Sequence, residues 1–541
     1  MKKISILTTV IMAGTMVLSL TGCDKNALKV VKTDPYSYQS NYRDLRIDGM
    51  HLSGEQFTDN IKTKKNGEEL HNWVVGDVRA LVVPVDFTDY PSSLFGNTEE
   101  ESRESLRKIM FGGPEETEWY SLSEYYKSSS FGKCNVTGVV APWFHTEIAS
   151  TEVPTEKNDK GKTVPSTAYA RQLAIKLQKY FRGNKIVGQD GKEYNLADFD
   201  ANKDGLVDTL IMLYTPKITT TGELWWAFCS SVSGAYGKYT EDGKLEGMNR
   251  FFWASFNFLY EKGNGKYYTA EEIKNGTAKA DAHTMTHEFG HCLSLPDYYV
   301  TDYNGDDYSG LGSLDMMDYN IGDHNAYSKM MYGWINPRRV QGKKGSVKVK
   351  LKSTTTTGDV IIIPAVDEWN NTLLDQYLMV EFLTPEGVAK KDGEEKYLGS
   401  YPLYYSKAGV RITHVDARMG VFTYSSNKYV FAGYTGSTKT ELDNSYVSTA
   451  ASNTATDSAF PAYKEIELLP ATGQTMKSLH EKGDPASDDC LYIEGDSFGM
   501  NGKWENFKLN GTDGSQEKDF GFKIRVDKIK GNDYAQLTIS L

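Results

Sequence analysis

The stretch Asp281-Ala-His-Thr-Met-Thr-His287-Glu288-Phe-Gly-His291-Cys-Leu-Ser-Leu-Pro-Asp297 decides how this chain is read. It contains His-Glu-x-x-His in a helical setting, with Pro296 ending the helix near Leu295. Positions i and i+4 share one helix face, so His287 and His291 aim two imidazoles at one point, where neutral nitrogens bind Zn²⁺ at about 2.0–2.1 Å. Glu288 projects toward the open metal position and suits a base rather than a ligand. Asp297 follows His287 by ten residues, and a chain that turns back there supplies a carboxylate oxygen. Two nitrogens, one carboxylate and one water complete a tetrahedron; a distant Glu is the alternative third ligand. Such a site hydrolyses: zinc lowers the pKa of water toward about 7 and polarises a carbonyl, while Glu288 takes the proton and passes it to the leaving group.

Downstream, Ser313-Leu-Asp315-Met316-Met317-Asp318-Tyr319 reads as a polar turn with a methionine pair, and residues 325–334 read as a helix stopped by Pro337. These segments resemble the M6 peptidases, the immune-inhibitor-A-like zinc proteases related to the metzincins. Their pattern is His-Glu-Phe-Gly-His-x-Leu-Gly-Leu-Pro-Asp, then Asp-x-Met, then Lys-x-x-x-Gly-Trp, met here by Lys329, Gly333 and Trp334. Residues 81–89, 121–132, 377–382 and 409–416 also look like family segments, so the resemblance is read over about 78–541. It implies a zinc endopeptidase acting on proteins or peptides, with His287, His291 and Asp297 as ligands, Glu288 as base and Met317 as the methionine turn beneath the metal. In the related astacins a tyrosine two residues past that methionine stabilises the oxyanion, which makes Tyr319 a candidate; the competing reading is a packed aromatic with a satisfied hydroxyl. The chain departs from the pattern at Ser294, where the family has a glycine in a sharp turn.

At the N-terminus, Lys2 and Lys3 precede an apolar run over 4–20, followed by Thr21-Gly22-Cys23. This is a secretory leader whose end resembles the bacterial lipoprotein box, with Cys23 carrying the lipid; an uncleaved signal anchor is the alternative. The expected protein is therefore exported, anchored to the outer face of the bacterial cell membrane, and monomeric. Its net charge of −12 argues against nucleic acid as a partner. The 541 residues exceed one core. We divide them into a leader (1–22), a lipid-anchored spacer (23–77), a catalytic region (78–340) and a β-rich, sandwich-like region (341–541). The expected fold class is α+β: a metzincin-like domain, with a twisted mixed sheet and an active-site helix, followed by strands.

Between 198 and 208, oxygen side chains alternate: Asp200, Asn202 and Asp204, then Gly205, the Leu206 carbonyl and Asp208. That spacing builds a Ca²⁺ loop, although the bidentate Glu of a full EF-hand is missing; an acidic turn is the plainer reading. Residues 302–307 form a second acidic patch, read as a solvated loop. His283 lies one turn before His287, but a catalytic zinc keeps a position open, so His283 is assigned to the helix face or a supporting role. Cys292 reads as a small buried residue, and no disulfide is predicted among Cys134, Cys229, Cys292 and Cys490. Two competing functions remain: a surface binding or adhesion protein with structural metals, and a zinc amidase acting on cell-wall peptides. Residues 423–458, rich in Ser, Thr, Asn and Tyr, are read as an exposed insertion.

Overall fold

The structure, a computed structural model, describes residues 25–33, 64–65, 68–69 and 75–541, except 159, 202–205, 220–221, 232–246, 249, 294, 302–306, 367–368, 370–372, 374, 400, 424–427, 432–445, 450, 455–462, 502 and 512–517. Cys23, the Asn202–Asp204 part of the Ca²⁺ loop, Ser294 and most of the 302–307 patch lie outside the described residues.

The first strand, β1 (Lys29–Lys32), falls within the stretch read as a spacer. It nevertheless pairs antiparallel with residues 338–341, far down the chain. The first large sheet is built from β2 (Gly76–Asp86), β3 (Cys134–Val140), β4 (Thr209–Tyr214), β5 (Phe228–Ser231) and β6 (Arg250–Ser255), in the order β5-β6-β4-β2-β3. Neighbours run parallel except β5, which is antiparallel to β6 at the sheet's end. Every residue of β4 and β6 is buried, as expected of strands covered on both faces.

On one side of this sheet, Val78, Ala80 and Val82 pack with Leu106, Ile109 and Met110 of α1 (Glu99–Phe111) and Tyr125 and Tyr126 of α2 (Leu122–Ser129). Thr98 caps α1 by accepting the Glu101 amide at 3.1 Å, and Glu99, Glu100 and Glu101 favour its positive end. On the other side, Leu81, Val83 and Val85 meet Ala170, Leu173, Leu177 and Phe181 of α3 (Ala168–Gly183), a stripe spaced at three and four residues.

The zinc-motif helix, α4 (His283–Cys292), packs through Met285, Phe289 and Cys292 into the cluster that holds α1 and α2. It is followed by the short helices α5 (Met316–Tyr319) and α6 (Ala326–Met331). The second sheet has the order β1-β7-β9-β10-β11-β12, and the third β8-β15-β14-β13. Their strands are β7 (Arg338–Gln341), β8 (Ser346–Lys352), β9 (Val360–Pro364), β10 (Gln376–Leu383), β11 (Gly409–Asp416), β12 (Ile466–Leu468), β13 (Ser497–Phe498), β14 (Lys523–Lys530) and β15 (Tyr534–Ser540). Between β10 and β11 lies α7 (Lys390–Glu394).

One face of the second sheet, with Ile362, Tyr377 and Met379, joins the cluster of α4. The other, with Ile361, Leu378, Val380 and Ile412, packs on Leu351, Ile524, Leu537 and Ile539 of the third sheet. The layers are therefore helix, sheet, helices, sheet and sheet, a mixed α and β architecture in which residues before and after 340 share one core.

The stretch 423–458, read as an exposed insertion, carries paired strands. Met419–Thr423, Lys428–Phe431 and Tyr446–Thr449 pair as three strands. Beyond them Asn453 is buried, its amide donating to the Tyr298 carbonyl at 2.7 Å and the Ile466 carbonyl at 2.9 Å. Hydroxyl-rich strands lack the Ile and Leu signal by which strands are usually read.

Candidate active site

Nine of the ten residues of α4 are buried, with only His291 partly open. A helix enclosed this way needs a small residue wherever a neighbour comes close. Gly290 is that residue: a Cβ there would collide with the sulfur of Met317. Met317 of α5 thus sits directly against the His-Glu-x-x-His helix.

After α4 the chain turns back, with the Leu295 amide donating to the Gly290 carbonyl at 3.0 Å. The return fixes both imidazoles and brings in Asp297. His287 Nδ1 donates to the Met316 carbonyl and His291 Nδ1 to the Leu295 carbonyl, both at 2.8 Å. A carbonyl only accepts, so each ring carries its proton on Nδ1 and turns the Nε2 lone pair inward. The rings stand 4.8 Å apart and nearly perpendicular, at 87°.

Asp297 Oδ1 lies 3.1 Å from His287 Nε2 and 3.3 Å from His291 Nε2, yet finds no hydrogen-bond donor. Three electron-rich atoms, all within 4.8 Å of one another, face a common point. Buried lone pairs converge at such distances only if a cation satisfies them, and two nitrogens with one carboxylate oxygen fit a divalent metal with a position left open. Burial works against a charged His291, but the Asp297 carboxylate outweighs it and lifts the imidazole to about 10. Without a metal, a proton takes the cation's part.

Glu288 is buried beside this point, and its Oε2 has no partner. Burial raises its carboxyl above the ordinary range, against the pull of His291 and His287. A cleft of about 900 Å³ opens here, lined by His287, Glu288, His291, Asp297 and the Ala227–Cys229 stretch that leads into β5. Tyr319 stands on its rim, 47 % exposed with its ring 5.0 Å from that of Tyr401. One side of the Tyr319 ring thus packs on Tyr401 while the side chain also lines the cleft.

Supporting contacts come from residues the sequence did not single out. Burial, together with the Asp297 carboxylate, raises the Tyr299 hydroxyl strongly. Asp315 accepts the Met317 amide at 2.9 Å and the Asn325 amide at 2.7 Å, tying α5 to α6. Asp318 accepts the Leu311 and Ser313 amides at 3.1 and 3.0 Å, and burial lifts both carboxyls to about 7.

His283 is held by Asp281 at 2.7 Å and Asp392 at 3.2 Å, between the rings of Trp119 and Tyr397 at 3.5 and 4.0 Å. Asp392 also accepts the Trp119 indole and the Gly322 amide, at 2.9 and 2.6 Å. One carboxylate from α7 thereby ties the zinc-motif helix to two neighbouring loops. Cys292 is buried as expected, and its sulfur lies 3.6 Å from that of Cys229 on the cleft wall.

In the stretch expected to form a Ca²⁺ loop, Asp200 is fully buried and Asp208 accepts the Arg79 amide at 2.9 Å.

A paired-imidazole helix closed by a returning carboxylate, set in a cleft beside an acid, is an arrangement that could hold a metal ion next to a general base. Residues 74–318 match the family model described as the immune inhibitor A peptidase M6 catalytic domain, so that segment is similar to the M6 peptidases. The match spans the His-Glu-x-x-His motif, Asp297 and Met317, and ends before the 329–334, 377–382 and 409–416 segments that the sequence also likened to the family. No curated protein matches the chain.

Proposed function

We propose that this chain is an exported zinc endopeptidase, anchored through a lipid on Cys23, that hydrolyses peptide bonds of extracellular proteins. The observation that carries this reading is the convergence of two imidazole lone pairs and an unpartnered Asp297 oxygen beside Glu288. His287, His291 and Asp297 would hold Zn²⁺, which when bound supplies Lewis-acid polarisation of a carbonyl and a lowered pKa for water.

The remaining work belongs to the protein's own groups. Glu288, desolvated and raised, accepts the proton of the attacking water and returns it to the leaving amine. The Tyr319 hydroxyl, on the rim, hydrogen-bonds the oxyanion as it forms. β5 ends its sheet beside the cleft, so an extended peptide is aligned there by main-chain hydrogen bonds. The fold around this site is taken as metzincin-like.

The test is zinc content and casein cleavage of the wild type and Glu288→Gln. We expect bound zinc to be retained and kcat to fall by about 10²–10⁴. Unchanged cleavage in Glu288→Gln would reject the assignment, and cleavage of peptidoglycan but not casein would replace it with the amidase reading.

Asp200, Asn202, Asp204, the Leu206 carbonyl and Asp208 are proposed to hold a structural Ca²⁺, supported by their spacing and by the burial of Asp200. Added Ca²⁺ should then raise the Tm of the wild type and not that of Asp204→Ala. Equal shifts in both proteins would remove this site.

A further inference from the structure

The third sheet separates its residues by character with unusual strictness. Val349, Leu351, Ile524, Val526, Leu537 and Ile539 point inward and are buried. The outward positions of β8 are Lys348, Lys350 and Lys352, and those of β14 include Lys523, Arg525, Lys528 and Lys530. Between them runs β15, whose outward residues are uncharged. The register sets Lys348, Thr538 and Arg525 on one rung, Lys350, Gln536 and Lys528 on the next, and Lys352, Tyr534 and Lys530 on the third. Each rung is a cation, a neutral residue and a cation, with the cations about 10 Å apart across two strand spacings.

Carboxylates reach these strands too. Asp527 bonds Arg525 at 2.8 Å, Asp533 lies 3.3 Å from Lys530, Glu494 accepts the Ile529 amide and Asp359 the Lys352 amide. Lys348, Lys523 and Lys528 have no carboxylate partner among the described residues. A protein of net charge −12 thus gathers seven cations on one flat face, an arrangement that self-repulsion disfavours unless an anionic surface meets it.

A second observation fixes where that face stands. The Lys343 amide donates to the Asn26 carbonyl at 2.7 Å and the Leu28 amide to the Lys344 carbonyl at 3.1 Å, just before β8 begins. The start of the described chain is therefore pinned to the corner from which the cationic sheet extends. Cys23 precedes Asn26 by three residues, a reach of at most about 11 Å for an extended chain. A lipid on Cys23 brings this corner, with Lys25, Lys343 and Lys344, to within about one screening length of the headgroups.

We propose that the outer face of the third sheet docks on an anionic phospholipid bilayer, so that the lipid on Cys23 and this face together form a two-point anchor. This rests on the reading of Cys23 as lipidated. The two signals support each other, since the lipid inserts into the bilayer while the basic surface is drawn to its anionic headgroups. The face lies on the far side of the second sheet from α4. Docking therefore holds the cleft roughly 20 Å, two packed layers, away from the lipid.

The test uses the chain from residue 23 onward with Cys23→Ser, so that vesicle binding is read without the lipid. The probes are vesicles of phosphatidylglycerol and phosphatidylcholine in a 3:7 ratio, and of phosphatidylcholine alone. We expect at least tenfold stronger partition onto the anionic vesicles, weakening as salt rises from 50 to 300 mM. The combined substitutions Lys348→Glu, Lys350→Glu, Lys523→Glu and Lys528→Glu should reduce it about tenfold, with Tm and casein cleavage unchanged. A milder Lys523→Gln, Lys528→Gln pair should give an intermediate loss. Equal partition onto both vesicles, insensitivity to either set of substitutions, or binding to heparin without binding to vesicles would each overturn the proposal. The mass of the N-terminal peptide from membrane-grown protein tests lipidation separately, so failure of the anchor and failure of the docking face are told apart.

Discussion

At residue scale, His283 shows how a side chain outside the metal site still governs it. It opens α4, is enclosed by two aromatic rings, and bridges Asp281 and Asp392. Burial alone would keep it neutral, but the two carboxylates prevail and raise it to about 9. Because the folded value exceeds the unfolded one of about 6.5, the stabilisation is complete below pH 6.5 and is lost as pH rises through 9. The gap in unfolding free energy between wild type and His283→Gln, read from denaturant unfolding, should accordingly be widest at pH 6, on the order of 3 kcal/mol, and should close by pH 9.5. A gap independent of pH would show that His283 is not charged in the fold. His287, Glu288 and His291 were legible because their geometry is local: four residues make one helical turn. Asp392 was not, since it lies in the run Lys390-Lys-Asp-Gly-Glu-Glu-Lys396. Nothing within that run marks the one carboxylate that is buried; its role depends on Trp119, His283 and Gly322, all distant in sequence.

At the scale of elements, the chain advertises its helices and most of its strands. The helix expected over 325–334 is found as Ala326–Met331, while the apolar run at 80–85 and the stripe at 170, 173, 177 and 181 mark the strand Gly76–Asp86 and the helix Ala168–Gly183. Asn325 caps the last of these, accepting the Ser328 amide at 2.9 Å and giving its own amide group to Asp315 at 3.0 Å. Asn325→Ala removes a cap and takes one side-chain hydrogen bond from the buried Asp315 carboxylate, leaving the backbone one in place. We expect a loss of about 2–3 kcal/mol in denaturant unfolding, with weaker zinc retention because α5 orients His287. A loss below about 0.5 kcal/mol would mean that α5 and α6 are fixed by packing alone. Where local signals failed, as in the strands between 419 and 449, the sequence offered polar residues whose pairing depends on partners it does not identify.

For the whole molecule, the sequence separated a catalytic region from a β-rich one because the texture changes near 340. It could not show that Met285 and Phe289 would share a core with Tyr377, Met379 and Leu491, since that depends on which face of a later sheet turns inward. A chain ending at 340 would expose the apolar side of α4's cluster. We expect such a truncation to be insoluble or to lack a cooperative transition, while the full chain melts in a single one that includes both halves. Two well-separated transitions, or a soluble and active truncation, would contradict the shared core.

The pairing of β1 with β7 also sets an order of assembly. Residues 29–32 are made early, whereas their partners at 338–341 follow after some three hundred more. At roughly 5–20 residues per second that interval is about 15–60 s. The opening strand must stay unmated throughout, so this edge of the fold closes late, after most of the polypeptide has been synthesised.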